Sequence, residues 1–117
     1  MQIELKGRNV AITDDMREHV AKRFEKVGRQ VSELARLEIE LSDERNPAIA
    51  DNHVAEATLY LKGVTLRAQD ASRDQRHAIH LCEAELSRQV KRHRDKRRKR
   101  RESRAAASAE YGISAGI

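Results

Sequence analysis

His77 and His80 lie one helical turn apart, with Cys82 and Glu83 just after them, and this grouping most resembles a metal-ligand cluster. Imidazole, thiolate and carboxylate are the donors that zinc takes. Helical phase keeps them apart. At roughly 100° per residue, Cys82 falls on the core stripe of Ile79, Leu86 and Val90, whereas His77 and His80 project roughly 100° to 160° away from it. The donors do not converge, and no metal site is expected. Cys82 as a nucleophile lacks an oriented base. The chain also has neither a glycine-rich phosphate loop nor a Gly-x-Ser-x-Gly elbow. No catalytic constellation and no cofactor are expected, so the chain does not read as an enzyme.

The remaining chemistry is electrostatic. From Arg88 to Arg104 there are eleven Lys or Arg against two acids, Asp95 and Glu102, a balance of +9. Residues 1–87 hold thirteen basic and sixteen acidic side chains, a balance of −3. Basicity is therefore one concentrated feature on a mildly acidic body. Such a segment calls for a polyanion, because each phosphate it neutralises releases condensed counterions. Aromatic residues make up 3% of the chain (Phe24, Tyr60 and Tyr111), too few for a module that stacks several bases on rings.

At 117 residues the chain reads as one domain with one modest core. With 38% hydrophobic and 37% charged residues, it folds only if the apolar positions keep good register. Cys82 is the only cysteine, which excludes an internal disulfide and fits a reducing compartment. Met1-Gln2-Ile3-Glu4 does not open a signal peptide, and no apolar run approaches the roughly 18 residues of a membrane span. The expected location is the cytoplasm.

These residues must be held by a small set of elements. Gln2 to Val10 alternates with the period of a half-buried strand, Ile3 and Leu5 facing inward. Gly7 marks a bulge or a close approach. Thr13 is the expected N-cap of a helix that starts with Asp14 and Asp15 and runs to about Val31. Its stripe is Met16, Val20, Phe24, Val27 and Val31. The costly Gly28 makes its last turn the weakest part. Leu37, Ile39 and Leu41 form the next inward set. The polar stretch Ser42 to Asn52, with Pro47, reads as a mobile loop and a weak functional candidate. Ala55, Ala57, Leu59 and Leu61 follow. Lys62-Gly63 is a two-residue turn leading to Val64, Leu66 and Ala68. Ser72 is the expected N-cap of a second helix with the stripe Ile79, Cys82, Leu86 and Val90. Beyond Val90 the positions in phase are His93 and Arg97, so packing should stop there. The order β-α-β-β-β-α implies an α+β two-layer sandwich. Four strands form a mixed sheet, the first pair parallel, and both helices cover one face.

The cations fall on the outer sides of those helices. Lys22, Arg23, Lys26 and Arg29 form one flank of the first helix, with Glu18 and Glu25 near enough to pair along it. Arg88, Lys91, Arg92 and Lys96 turn outward from the second. Two such rods about 10 Å apart make a broad cationic surface suited to the phosphates of folded RNA.

Gly7-Arg8-Asn9-Val10-Ala11-Ile12-Thr13 and Met16-Arg17-Glu18-His19-Val20-Ala21-Lys22-Arg23-Phe24-Glu25-Lys26 resemble the opening of the ribosome hibernation promoting factors. Ala55-Glu56-Ala57-Thr58-Leu59 is similar to that family's third strand, and Leu86 to Lys96 to its second helix. The resemblance covers roughly residues 1–98 and implies the same fold. It also implies binding to the small ribosomal subunit across the channel for mRNA and tRNA, silencing idle or starved ribosomes by occupancy. Carried over by position, Lys22, Arg23, Lys26, Arg88, Lys91, Arg92, Arg94 and Lys96 would contact ribosomal RNA phosphates. Arg76 would add a contact where the family usually opens its second helix with an aspartate, an apolar residue and a tyrosine. A generic cationic RNA-binding module is the alternative.

The expected division is a ribosome-binding domain over 1–98 and a disordered tail over 99–117, basic and then rich in Ala and Ser. The residues from Ala105 onward are too few and too polar for the family's C-terminal dimerisation domain, so a monomer is expected off the ribosome.

Overall fold

The computed structural model describes the backbone of residues 1–111 and the side chains of residues 1–107. Strand β1 (Gln2–Arg8) leads through helices α1 (Asp14–Arg23) and α2 (Glu25–Arg29) to β2 (Arg36–Asp43). Strands β3 (His53–Leu61) and β4 (Val64–Ser72) follow, and helix α3 (Gln75–Tyr111) ends the described chain. The sheet order is β1-β2-β3-β4. β1 pairs parallel with β2, and the other two pairings are antiparallel. The expected α+β sandwich is the observed fold.

Alternation decides which face is buried. Leu37, Ile39, Leu41, Ala55, Ala57 and Leu59 are all at most 1% exposed and meet Val20, Phe24 and Val27 of α1–α2 and Ile79, Cys82, Leu86 and Val90 of α3. Leu61 and Leu66 pack at the edge of this cluster. Ile3 differs from expectation at 38% exposed, because β1 is an edge strand with a neighbour on one side only. The β3–β4 hairpin turns at Lys62-Gly63 with Leu61 opposite Val64, and Gly63 takes the φ of +80° such a turn requires. At Gly7 the register is continuous, so there is no bulge. The glycine serves a close approach instead, since a Cβ would collide with the Val10 carbonyl oxygen and the Ile12 side chain.

Thr13 caps α1 as expected, its hydroxyl accepting from the Met16 amide at 3.1 Å. The single helix expected to reach Val31 is instead two, breaking at Phe24 (φ −92°, ψ 4°) and ending at Arg29. The Phe24 amide still reaches Val20 O at 3.0 Å, and the Gly28 amide reaches Phe24 O at 3.1 Å. The break is thus a bend at a fully buried ring. Gly28 is where Met1 packs, 3.4 Å from the place a Cβ would occupy.

Ser72 belongs to β4, so the cap position of α3 falls to Asp74, whose carbonyl accepts from the Ala78 amide at 3.0 Å. The Ser72 hydroxyl lies 2.8 Å from His77 Nδ1 instead. The loop between β2 and β3 is closed at its base by His53 Nδ1 and Asp43 Oδ1 at 2.7 Å. The largest difference is at the end of the chain. α3 stays helical through residues 99–111, which were expected to be disordered, although no residue after Val90 is buried among the described ones. Lys, Arg, Glu and Ala are strong helix formers and need no core to propagate a helix already nucleated. The part of the expected tail from 112 to 117 lies outside the described residues.

Phe24→Ala should cost about 3–5 kcal/mol in urea denaturation because the ring fills the bend. Leu34→Ala, at a side chain 91% exposed, should stay within about 0.5 kcal/mol of the parent.

Candidate nucleic-acid interface

Helices α1 and α3 lie side by side and run in the same direction. Arg76 Nη2 in the first turn of α3 is 3.4 Å from Asp15 Oδ2 in the first turn of α1. Farther along, Arg23 Nε is 3.9 Å from Glu83 Oε2, and its Nη2 is 3.3 Å from His80 Nε2. Arg23 is therefore a bridge between helices as well as a candidate phosphate contact. Its side chain is 35% exposed and Glu83's only 11%. A cross-helix pair 60 residues apart leaves no periodic trace, so helical phase placed Arg23 only on the outer flank.

The other cations of this layer divide by partner. Lys22 pairs with Glu18 at 3.4 Å and Arg29 with Glu25 at 3.5 Å, both at i,i+4. Such exposed pairs hold a few tenths of a kcal/mol and open readily to a phosphate. Lys26, expected to have Glu25 near, is exposed and has no acidic partner among the described residues. In α3, Arg88 bonds to Glu85, and that hydrogen bond is the main reason the Glu85 carboxyl sits below the usual range. Lys91, Arg92, Arg94 and Lys96 are exposed and form no ion pair among the described residues, although the Arg92 charge adds to the lowering of the Glu85 carboxyl. Arg94 and Arg97 border a cleft of about 600 Å³ between α3, the β3–β4 turn and the chain around Val31 and Leu34.

His19 registers how closely these charges gather. Burial is the main cause of its lowered pKa, and the Arg76 and Arg23 cations push in the same direction. These effects disfavour the imidazolium, while the nearby Asp74 and Asp15 carboxylates act in the opposite direction. His77 and His80 stack on each other, ring centroids 6.4 Å apart, while Cys82 is fully buried beneath them. The Cys82 thiol donates toward Ala68 O at 3.5 Å, and burial pushes its pKa up to about 12. That pKa leaves almost no thiolate at neutral pH.

The opposite side of the molecule is electrically different. Residues alternating with the buried set face the open side of the sheet, where Glu4 stands beside Glu38 and Glu40 beside Glu56. Glu38 is partly engaged by Arg36 at 3.7 Å and by the Tyr60 hydroxyl at 3.3 Å. Like charges on adjacent strands repel, and Lys6, opposite Glu40 and 3.7 Å from Glu4, offsets part of that repulsion. Each strand shows its glutamates in the sequence, but only the register reveals that they line up. The open sheet is thus charge-balanced, with Lys6, Arg8, Arg36 and Arg67 among Glu4, Glu38, Glu40 and Glu56, while the cations without an ion pair among the described residues gather mainly on the helix layer.

A family model described as sigma 54 modulation protein / S30EA ribosomal protein matches residues 3–98. The chain belongs to that family. The ribosome hibernation promoting factor of Acinetobacter guillouiae is 31% identical over 99 residues, spanning 80% of this chain and 88% of its own. The ribosome hibernation promotion factor of a Picosynechococcus species is 30% identical over 97 residues, and this chain spans about half of that relative's length. Among solved structures, the N-terminal domain of Thermus thermophilus protein Y superposes with a TM-score of 0.67 at 31% identity, covering 79% of this chain and 98% of that one. A ribosomal subunit interface protein from Coxiella burnetii, at 21% identity and a TM-score of 0.69, shares the fold. Residues 99–111 of α3 lie beyond the family match.

Arg23→Ala should lower stability by about 1–2 kcal/mol, because Glu83 loses its cation. Lys26→Ala should stay within about 0.5 kcal/mol of the parent in the same denaturation experiment.

Proposed function

We propose that this protein is a ribosome hibernation factor that lies across the mRNA and tRNA channel of the small subunit and keeps idle ribosomes from translating. The mechanism is occupancy, with no bond made or broken and no cofactor required. The working location is the cytoplasm. Lys22, Lys26 and Arg29 from α1–α2, with Arg88, Lys91, Arg92, Arg94 and Lys96 from α3, meet ribosomal RNA phosphates. Arg76 and Arg23 contribute from between the two helices.

One observation carries this reading beyond the family name. Lys26, Lys91, Arg92, Arg94 and Lys96 lie exposed on the helix layer with no ion pair among the described residues, whereas on the open sheet Glu4 and Glu38 are bridged by Lys6 and Arg36 and the face is charge-balanced. A generic polyanion binder needs charge but no orientation, whereas a channel-filling protein must present one side to RNA and keep the other off it. Electrostatic complementarity of this kind sets orientation and on-rate more than raw affinity.

Binding to isolated small subunits should fall steeply with salt, with a log–log slope of several units. The triple variant Lys22→Gln, Lys26→Gln, Arg29→Gln should flatten that slope by about 2 while leaving the unfolding curve unchanged. Arg23 is left intact because it also braces Glu83. Messenger RNA with initiator tRNA should displace the protein, and bulk DNA should not. Equal displacement by DNA would favour the generic cationic module.

A further inference from the structure

The helix beyond Val90 is charged on the side where a packed helix would be apolar. Ile79, Leu86 and Val90 face the sheet. At about 100° per residue, Arg97, Arg101 and Arg104 continue that same line to within about 40° of Val90. Arg92, Lys96 and Lys99 repeat the same i, i+4, i+7 spacing about 140° further round, facing away from the sheet. Both acids of this stretch are drawn to one cation, Asp95 at 3.8 Å and Glu102 at 3.9 Å from Arg98. Neither triplet has an acidic partner among the described residues.

This arrangement is costly for an isolated helix. Arg97 with Arg101, and Arg100 with Arg104, are like charges at i,i+4 and destabilise it by a few tenths of a kcal/mol each. A helix that merely rests on RNA needs cations on one side only. One that places them on both sides fits a space with phosphates on both sides. Arg101 and Arg104 also stand outside the segment matched to the family, residues 3–98, so family membership does not supply a role for them.

We propose that α3 from about Arg92 to Arg104 inserts between two ribosomal RNA backbones. The outward triplet faces one backbone, and the triplet in line with Val90 faces the other. Arg104 is fourteen residues past Val90, so the insertion reaches about 21 Å beyond the packed domain. The inference rests on the ribosomal reading above and extends its footprint.

The test uses the full chain and purified small subunits in a salt titration. Arg97→Gln, Arg101→Gln, Arg104→Gln and, separately, Arg92→Gln, Lys96→Gln, Lys99→Gln should each weaken binding roughly 10- to 100-fold near 0.1 M salt and flatten the slope by about 2. Gln matches Arg and Lys closely in helix propensity, so far-UV circular dichroism should not change. The charge-conserving triple Arg97→Lys, Arg101→Lys, Arg104→Lys should bind with the parent slope, which separates lost charge from lost helix. If the first triple binds like the parent while the second is weakened, the helix lies on one surface and the insertion is wrong. Parental binding by both triples also overturns it. A parent chain that fails to bind small subunits overturns the ribosomal reading itself, and the insertion falls with it.

Discussion

A sheet with one apolar face must bury that face, and here α1–α2 and the first half of α3 are what cover it. Everything else about the molecule's polarity follows. Leu37, Ile39, Leu41, Ala55, Ala57 and Leu59 draw Val20, Phe24, Val27, Ile79, Leu86 and Val90 down onto the sheet. The helices' remaining surfaces, where Lys22, Lys26, Arg88 and Lys91 sit, then have to point away from it. The same alternation forces Glu38, Glu40 and Glu56 to the far side. One hydrophobic requirement therefore decides which charges share the helix layer and which share the open sheet.

Val90 is where that requirement ends. Up to it, α3 is positioned by burial and its cations occupy fixed places relative to α1 and α2. Past it the helix has no packing partner among the described residues and is carried by local propensity alone. The two parts suit different tasks. Under the proposed function, the packed part would set where the protein docks, and the projecting part would multiply contacts wherever phosphates are within reach. Arg23 belongs to both regimes, because the guanidinium that could touch phosphate also ties α1 to Glu83 and His80.

The sheet and its cover were legible in the sequence because Leu37-x-Ile39-x-Leu41 and Ile79, Cys82, Leu86 and Val90 carry unambiguous periods. Thr13 and Lys62-Gly63 were legible because cap and turn chemistry is local. The bend at Phe24 was hidden, since the apolar spacing runs straight through it and Gly28 is the more obvious breaker. The cap at Asp74 was hidden because Ser72 is an equally good capping residue until β4 is seen to claim it. The Arg23–Glu83 bridge and the row Glu40–Glu56 are tertiary facts that no single segment encodes. The helix past residue 98 was missed because a missing apolar stripe reports a missing partner, and that is a different property from missing helicity. The cations themselves could be read from the sequence by phase and by resemblance, and so could Glu18 and Glu25 as partners along the first helix, but the partners across helices could not.

The central claim is that the helix layer, and not the open sheet, meets ribosomal RNA. Cys82 is buried and its thiol is held protonated by a pKa of about 12, so a cysteine introduced on the surface can be labelled selectively. An iron chelate tethered at Lys26→Cys or at Glu56→Cys would generate hydroxyl radicals from one face or the other of the bound protein. Strong cleavage of small-subunit RNA along the mRNA channel from position 26, with little from position 56, is the predicted result. Cleavage mainly from position 56 would contradict the account.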